Sequence, residues 1–101
     1  MKIVKNLCNE VNLEDKCCKL CYRLIESYFN GTIVYGIEVE RKDFKDSNLI
    51  NIERDLICKI SPNKDKVEVL VDKLYKYEVS PIHLIDIIGE DVDNCVADFI
   101  L

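Results

Sequence analysis

No run in this sequence approaches the ~20 apolar residues that a helix needs to cross a bilayer, so no helical span is expected. The opening residues, MKIVKNLCNEVNLEDK, hold no uninterrupted apolar segment, and a secretory signal is therefore not expected either. A basic excess is also missing. Fourteen Lys and Arg stand against 19 Asp and Glu, for a net charge of -5 and a pI of about 4.8. Nucleic acid and anionic membrane surfaces, which need a basic footprint, are thus not expected partners. Glycine-rich phosphate loops, HExxH and the GxSxG elbow are absent, which removes the common nucleotide, zinc-protease and hydrolase signatures. No nucleophile stands beside a predictable base, and no enzymatic activity or cofactor is expected. Repeats, low-complexity tracts and domain linkers are lacking too.

What is present is an ordinary globular balance of 49% hydrophobic and 33% charged residues in 101, enough for one domain with a single modest core. The stretch from Ser61 to Val92 organises it. Ser61-Pro62 and Ser80-Pro81 each pair a residue suited to N-cap with one suited to N1. After Pro62, Val67, Leu70, Val71 and Leu74 recur at helical spacing. After Pro81, Leu84, Ile85, Ile88, Val92, Cys95, Val96 and Phe99 do the same. Two helices joined by a tight corner are expected.

The preceding residues read as strands. Lys2–Cys8 alternates weakly, and Asn9–Lys16 is polar and loop-like. Cys17–Phe29 places Cys18, Leu20, Tyr22 and Leu24 on one side and Lys19 and Arg23 on the other. Asn30-Gly31 is a strong hairpin signal, since both residues tolerate positive φ. Thr32–Lys42 then alternates with Ile33, Tyr35, Ile37 and Val39 inward, and Glu38 and Glu40 outward. Asp43–Asn48 reads as a polar loop, and Leu49–Ile60 as a strand with Ile50, Ile52, Leu56, Cys58 and Ile60 on a shared face. The expected fold class is α+β, an antiparallel sheet of three to four strands followed by two C-terminal helices packed on one face. Residues 1–101 make a single domain: an N-terminal strand and loop (1–16), the sheet (17–60) and a two-helix lid (61–101).

Tyr22-Arg23-Leu24, Tyr35-Gly36-Ile37 and the run from Asp65 to Asp91 resemble a family of small uncharacterised proteins from clostridia and related Gram-positive anaerobes. Its most specific piece is Glu78-Val79-Ser80-Pro81-Ile82-His83-Leu84, followed by Asp86 and Ile88. The resemblance implies a bacterial cytoplasmic protein and no known activity.

Several residues remain as candidates. Cys18 and Cys21 form one CxxC, half of a zinc site at most, and an extended strand would point them to opposite faces. The six cysteines are expected to be free thiols of a reducing cytoplasm, with Cys18, Cys58 and Cys95 packed as small hydrophobes and Cys17 and Cys21 exposed. His83 and Asp86 make an i,i+3 pair facing away from the apolar stripe, beside Ile87, and together these three mark an interaction surface. Glu78, Ser80 and Pro81 belong to the corner, where Glu78 is expected to accept hydrogen bonds from free N–H groups near Ile82 and His83. The resulting expectation is a non-enzymatic cytoplasmic module acting through protein–protein contact or self-association. The alternative is a cysteine-based metal or thiol site. A small-ligand binder would need a polar pocket between sheet and lid near Tyr22, Tyr35 or Tyr77.

Overall fold

Asn30 and Gly31 both take positive φ, 51° and 77°, and so close the two-residue turn that their residue types favour. Asp46 and Ser47 do the same at 51° and 66°. The expected loop over Asp43–Asn48 is therefore a second tight hairpin, announced less plainly because serine rarely takes that conformation. The computed structural model describes residues 1–12 and 14–99. Residue 13 of the expected N-terminal loop and residues 100 and 101 of the expected lid lie outside them.

Four strands, β1 (Lys2–Asn12), β2 (Lys16–Phe29), β3 (Thr32–Lys45) and β4 (Asn48–Ser61), form an antiparallel meander in the order β1-β2-β3-β4. Helix α1 (Lys64–Lys76), a 3-10 turn over Pro81–His83, α2 (Leu84–Asn94) and a 3-10 turn over Val96–Phe99 follow. The α+β class and the strands-then-helices order are as expected. Asn9–Asn12, expected as loop, instead extends β1 in register with Cys17–Leu20. Neighbouring ladder bonds hold a polar strand that lacks an alternating pattern of its own.

The inner face of the sheet carries Cys18, Leu20, Tyr22 and Leu24 from β2 and Ile37 and Val39 from β3, all buried. Val67, Leu70, Val71 and Leu74 of α1 and Leu84 and Ile88 of α2 close over it. The α2 stripe is narrower than its spacing suggests, for Ile85 and Val96 are exposed. The 3-10 turns at both ends of α2 reset the helical phase, so residues before and after it do not continue one face.

On β4 the expected face is divided: Ile60 is in the core as expected, but the residues before it are not. Ile50, Ile52 and Leu56 are exposed, while Ile57 packs against the core and Ile60 lies within it. The cause is a bulge where β4 passes Gly36. A Cβ at Gly36 would collide with the carbonyl oxygens of Ile57 and Cys58, so only glycine admits the approach.

The helix starts also differ. Ser61 ends β4, still paired with Tyr35. Its buried hydroxyl accepts the Asn63 N–H at 3.0 Å and donates to Asp98 at 2.7 Å. Asn63 is the N-cap of α1, accepting from the Lys66 N–H at 3.3 Å. Ser80 does hold an N-cap position, but of the 3-10 turn and with no side-chain capping bond. Pro81 follows at the first position of that turn and is buried.

Candidate functional site

The corner between α1 and α2 is built by backbone chemistry. Helix α1 ends at Lys76, with Tyr77 as its C-cap. Glu78, at φ 51°, supplies the left-handed residue that lets the Glu78 N–H reach the Tyr75 carbonyl (3.3 Å) and the Val79 N–H reach that of Leu74 (3.1 Å). This is the Schellman arrangement, complete with its apolar contact partners, since Leu74 and Val79 are both buried. Inside the corner, the buried Tyr22 hydroxyl donates to the Val79 carbonyl at 2.9 Å. Burial, and then the nearby Glu78 charge, push the Tyr22 phenol far above its ordinary range, so it stays a donor. The expectation that Glu78 receives the His83 N–H is corrected: the Ser80 carbonyl accepts it at 3.0 Å. At His83 a backbone carbonyl thus takes the place expected of the carboxylate.

The corner thrusts a set of side chains into solvent. Ile82 is 72% exposed and Ile85 57%, with Tyr77 and Ile87 also exposed. Beside them His83 Nδ1 lies 3.6 Å from Asp86 Oδ2, so the structure brings this i,i+3 pair together on the surface. From Tyr77 to the last residue there are six acidic residues and neither Lys nor Arg. Two of the six are answered from α1, Asp91 by Lys73 at 3.4 Å and Asp98 by Lys66 at 3.0 Å. The remainder leave an apolar ridge set in negative charge. Ile82 and Ile85 were not singled out from the sequence, because Ile85 lies at the edge of the Leu84/Ile88 stripe and its spacing alone assigns it to the core.

The outer face of the sheet holds an ion-pair cluster around Glu40, which is only 3% exposed. Arg23 reaches Glu38 at 2.7 Å and Glu40 at 3.1 Å, and Arg54 also donates to Glu40. Burial pushes the Glu40 carboxyl up, but the hydrogen bonds from Arg23 and Arg54 outweigh it and hold the group below its ordinary range. Glu40 points outward as expected, yet shielding by the arginine side chains hides it. Arg23 facing Glu38 across the strands was the available signal, although only the register joins them.

Cys18 and Cys21 do not converge on one ion. Cys18 sits in the inner core, whereas Cys21 faces outward and is joined to Cys8, its partner across β1 and β2, by a disulfide. The expectation of six free thiols is corrected for this pair, as is that of an exposed Cys21, which is 4% exposed. Nothing in the spacing of residues 8 and 21 announces the bond, because it depends on strand register. Cys17, Cys18, Cys58 and Cys95 are free, and burial raises the thiols of Cys18 and Cys95. The space that a ligand pocket near Tyr22 would need is filled by the Tyr22 ring, edge-on to Tyr75 at 6.2 Å.

Fold and surface together define a small α+β sheet-and-lid domain that displays an acidic, apolar-centred face. Residues 1–94 match the model of a family described as a family of unknown function, DUF6514, and the chain belongs to that family. Neither a curated protein nor a solved structure matches it.

Proposed function

We propose that this is a bacterial cytoplasmic, non-enzymatic module that works by protein–protein contact through the corner and the exposed side of α2. The occupant we favour is a basic, apolar segment of another protein. The supporting observation is the coincidence of Ile82 and Ile85, 72% and 57% exposed, with a C-terminal quarter that carries six acidic and no Lys or Arg residues. Apolar anchors give such a contact its affinity, while a single-sign rim steers a partner of opposite charge and repels a second copy of the same face. His83 and Asp86 lie on that rim, and Ile87 borders it.

A photo-crosslinking residue at position 82, set against one at Lys19 on the opposite side of the sheet, tests this in cells of the native host. The expected result is a defined adduct from position 82 only, mapping to a Lys/Arg-rich segment, and lost in Ile85→Asp. Adducts that form equally from position 19, or that survive Ile85→Asp, would refute it. Self-association is a second reading, supported by the exposed Leu49, Ile50, Ile52 and Leu56 on β4, which is an edge strand. Light scattering that finds a monomer at high concentration removes it.

A further inference from the structure

Cys8 and Cys21 form a bond whose two ends differ in access. Cys8 lies on the edge strand β1 and is exposed, whereas Cys21 lies on the interior strand β2 and is 4% exposed. Their Cα atoms are 4.1 Å apart as direct register partners, so the ladder itself sets the two sulfurs side by side. Strand β1 hydrogen-bonds to one neighbour only, and α1 holds it through Lys5 to Asp72 at 3.1 Å and Asn9 to the Tyr75 carbonyl at 3.0 Å. The cystine is thus the one covalent cross-link, beyond the chain itself, between the edge strand and the sheet among the described residues.

We propose that Cys8 and Cys21 form a reversible thiol–disulfide site that exchanges with low-molecular-weight thiols, and that its state sets how firmly β1 is held. A thiolate of the small thiol attacks the exposed Cys8 Sγ. The Cys8–Cys21 bond breaks, its electron pair leaves on Cys21 Sγ, and that sulfur takes a proton from water. A second small thiolate attacks the outer sulfur of the mixed disulfide on Cys8 and releases the Cys8 thiolate, which is protonated in turn. Overall, one protein disulfide and two small thiols become two protein thiols and one small disulfide. Oxidation runs the same steps backwards, with the small disulfide as oxidant. The direction of attack follows from access, since an incoming thiol meets Cys8 and not Cys21. This inference is independent of the contact face on α2.

The test uses the full chain carrying Cys17→Ser and Cys58→Ser, which removes the two half-buried free thiols and leaves the pair intact. The protein is equilibrated in reduced and oxidised glutathione at a series of ratios, acid-quenched and alkylated, and its peptides are weighed. The expected result is a graded transition between dithiol and disulfide across those ratios. The β1 amides should exchange hydrogen at least tenfold faster in the reduced form, with α1 and α2 unchanged. In the same background, Cys21→Ser should collect glutathione on Cys8 at least tenfold faster than Cys8→Ser collects it on Cys21. A pair that stays bonded in fully reduced glutathione, or stays reduced in oxidised glutathione, would overturn the proposal. So would equal protection of β1 in the two states. If either single-cysteine variant fails to fold, the titration of the intact pair and its hydrogen exchange decide alone.

Discussion

Glu78 holds a backbone conformation that costs a residue with a Cβ about 1 kcal/mol, and its carboxylate gains nothing obvious in return. Glu78→Gly should therefore stabilise the protein by about 0.5–1 kcal/mol, seen as a higher urea midpoint with an unchanged slope. Glu78→Ala, which keeps the Cβ, should bring no such gain. Tyr22 makes the opposite case. Tyr22→Phe removes the donor from the Val79 carbonyl inside a fully buried corner and should cost about 1–3 kcal/mol. A loss within error would mean that the hydroxyl does not hold the corner. At this scale the sequence was informative about identity but not about partner. Ser80 and Pro81 marked the turn correctly, while the hydrogen-bond roles assumed for Ser61 and Glu78 passed to Asn63 and to backbone carbonyls. Capping preferences name residue types that fit a helix end, and several fitted here within three positions.

Among the elements, β4 departs most from its sequence pattern. Its alternation was legible, but the face it turns inward is decided by the bulge opposite Gly36, and a bulge exchanges the two faces without leaving a periodic trace. Gly36→Ala should force β4 away from β3 and destabilise the domain by about 1–3 kcal/mol or more, with the largest loss of amide protection at Ile57–Ile60. The helices were legible where one stripe met one layer, as in Val67, Leu70, Val71 and Leu74. They were less legible on α2, where Leu84 and Ile88 are buried but Ile85, at the edge of the same stripe, stays exposed, and beyond its end, where a 3-10 turn carries Val96 to the surface. The Cys8–Cys21 pair was hidden because no local pattern fixes the β1–β2 register, whereas in the Glu40 cluster the Asn30-Gly31 turn sets Arg23 opposite Glu38 and only the Arg54 side depends on the bulged β3–β4 pairing.

Across the whole molecule, buried or bonded carboxylates set the response to acid. Hydrogen bonds from Ser61 and Lys66 hold Asp98 below its ordinary value of 3.8, and the arginines hold Glu40 below 4.5 despite its burial. Groups with depressed folded values contribute stability that is complete above the ordinary value and is lost as pH falls through the folded one. The melting temperature should thus change little from neutral pH to about 5 and drop below about 4. Glu40→Gln should shallow that drop while lowering stability at neutral pH by about 1–3 kcal/mol. A melting temperature that rises on acidification would contradict the assignment. The proposed contact face centres on Ile82 and Ile85, both exposed, where substitution leaves the core untouched. The most direct test is the dissociation constant of the partner cross-linked at position 82, measured for the wild type and for Ile82→Asp/Ile85→Asp at low and high salt. A loss of at least tenfold, or about 1.4 kcal/mol, is predicted, with an unchanged melting temperature and wild-type binding that weakens as salt rises. Equal affinity of the two proteins, or wild-type binding indifferent to salt, would contradict the account.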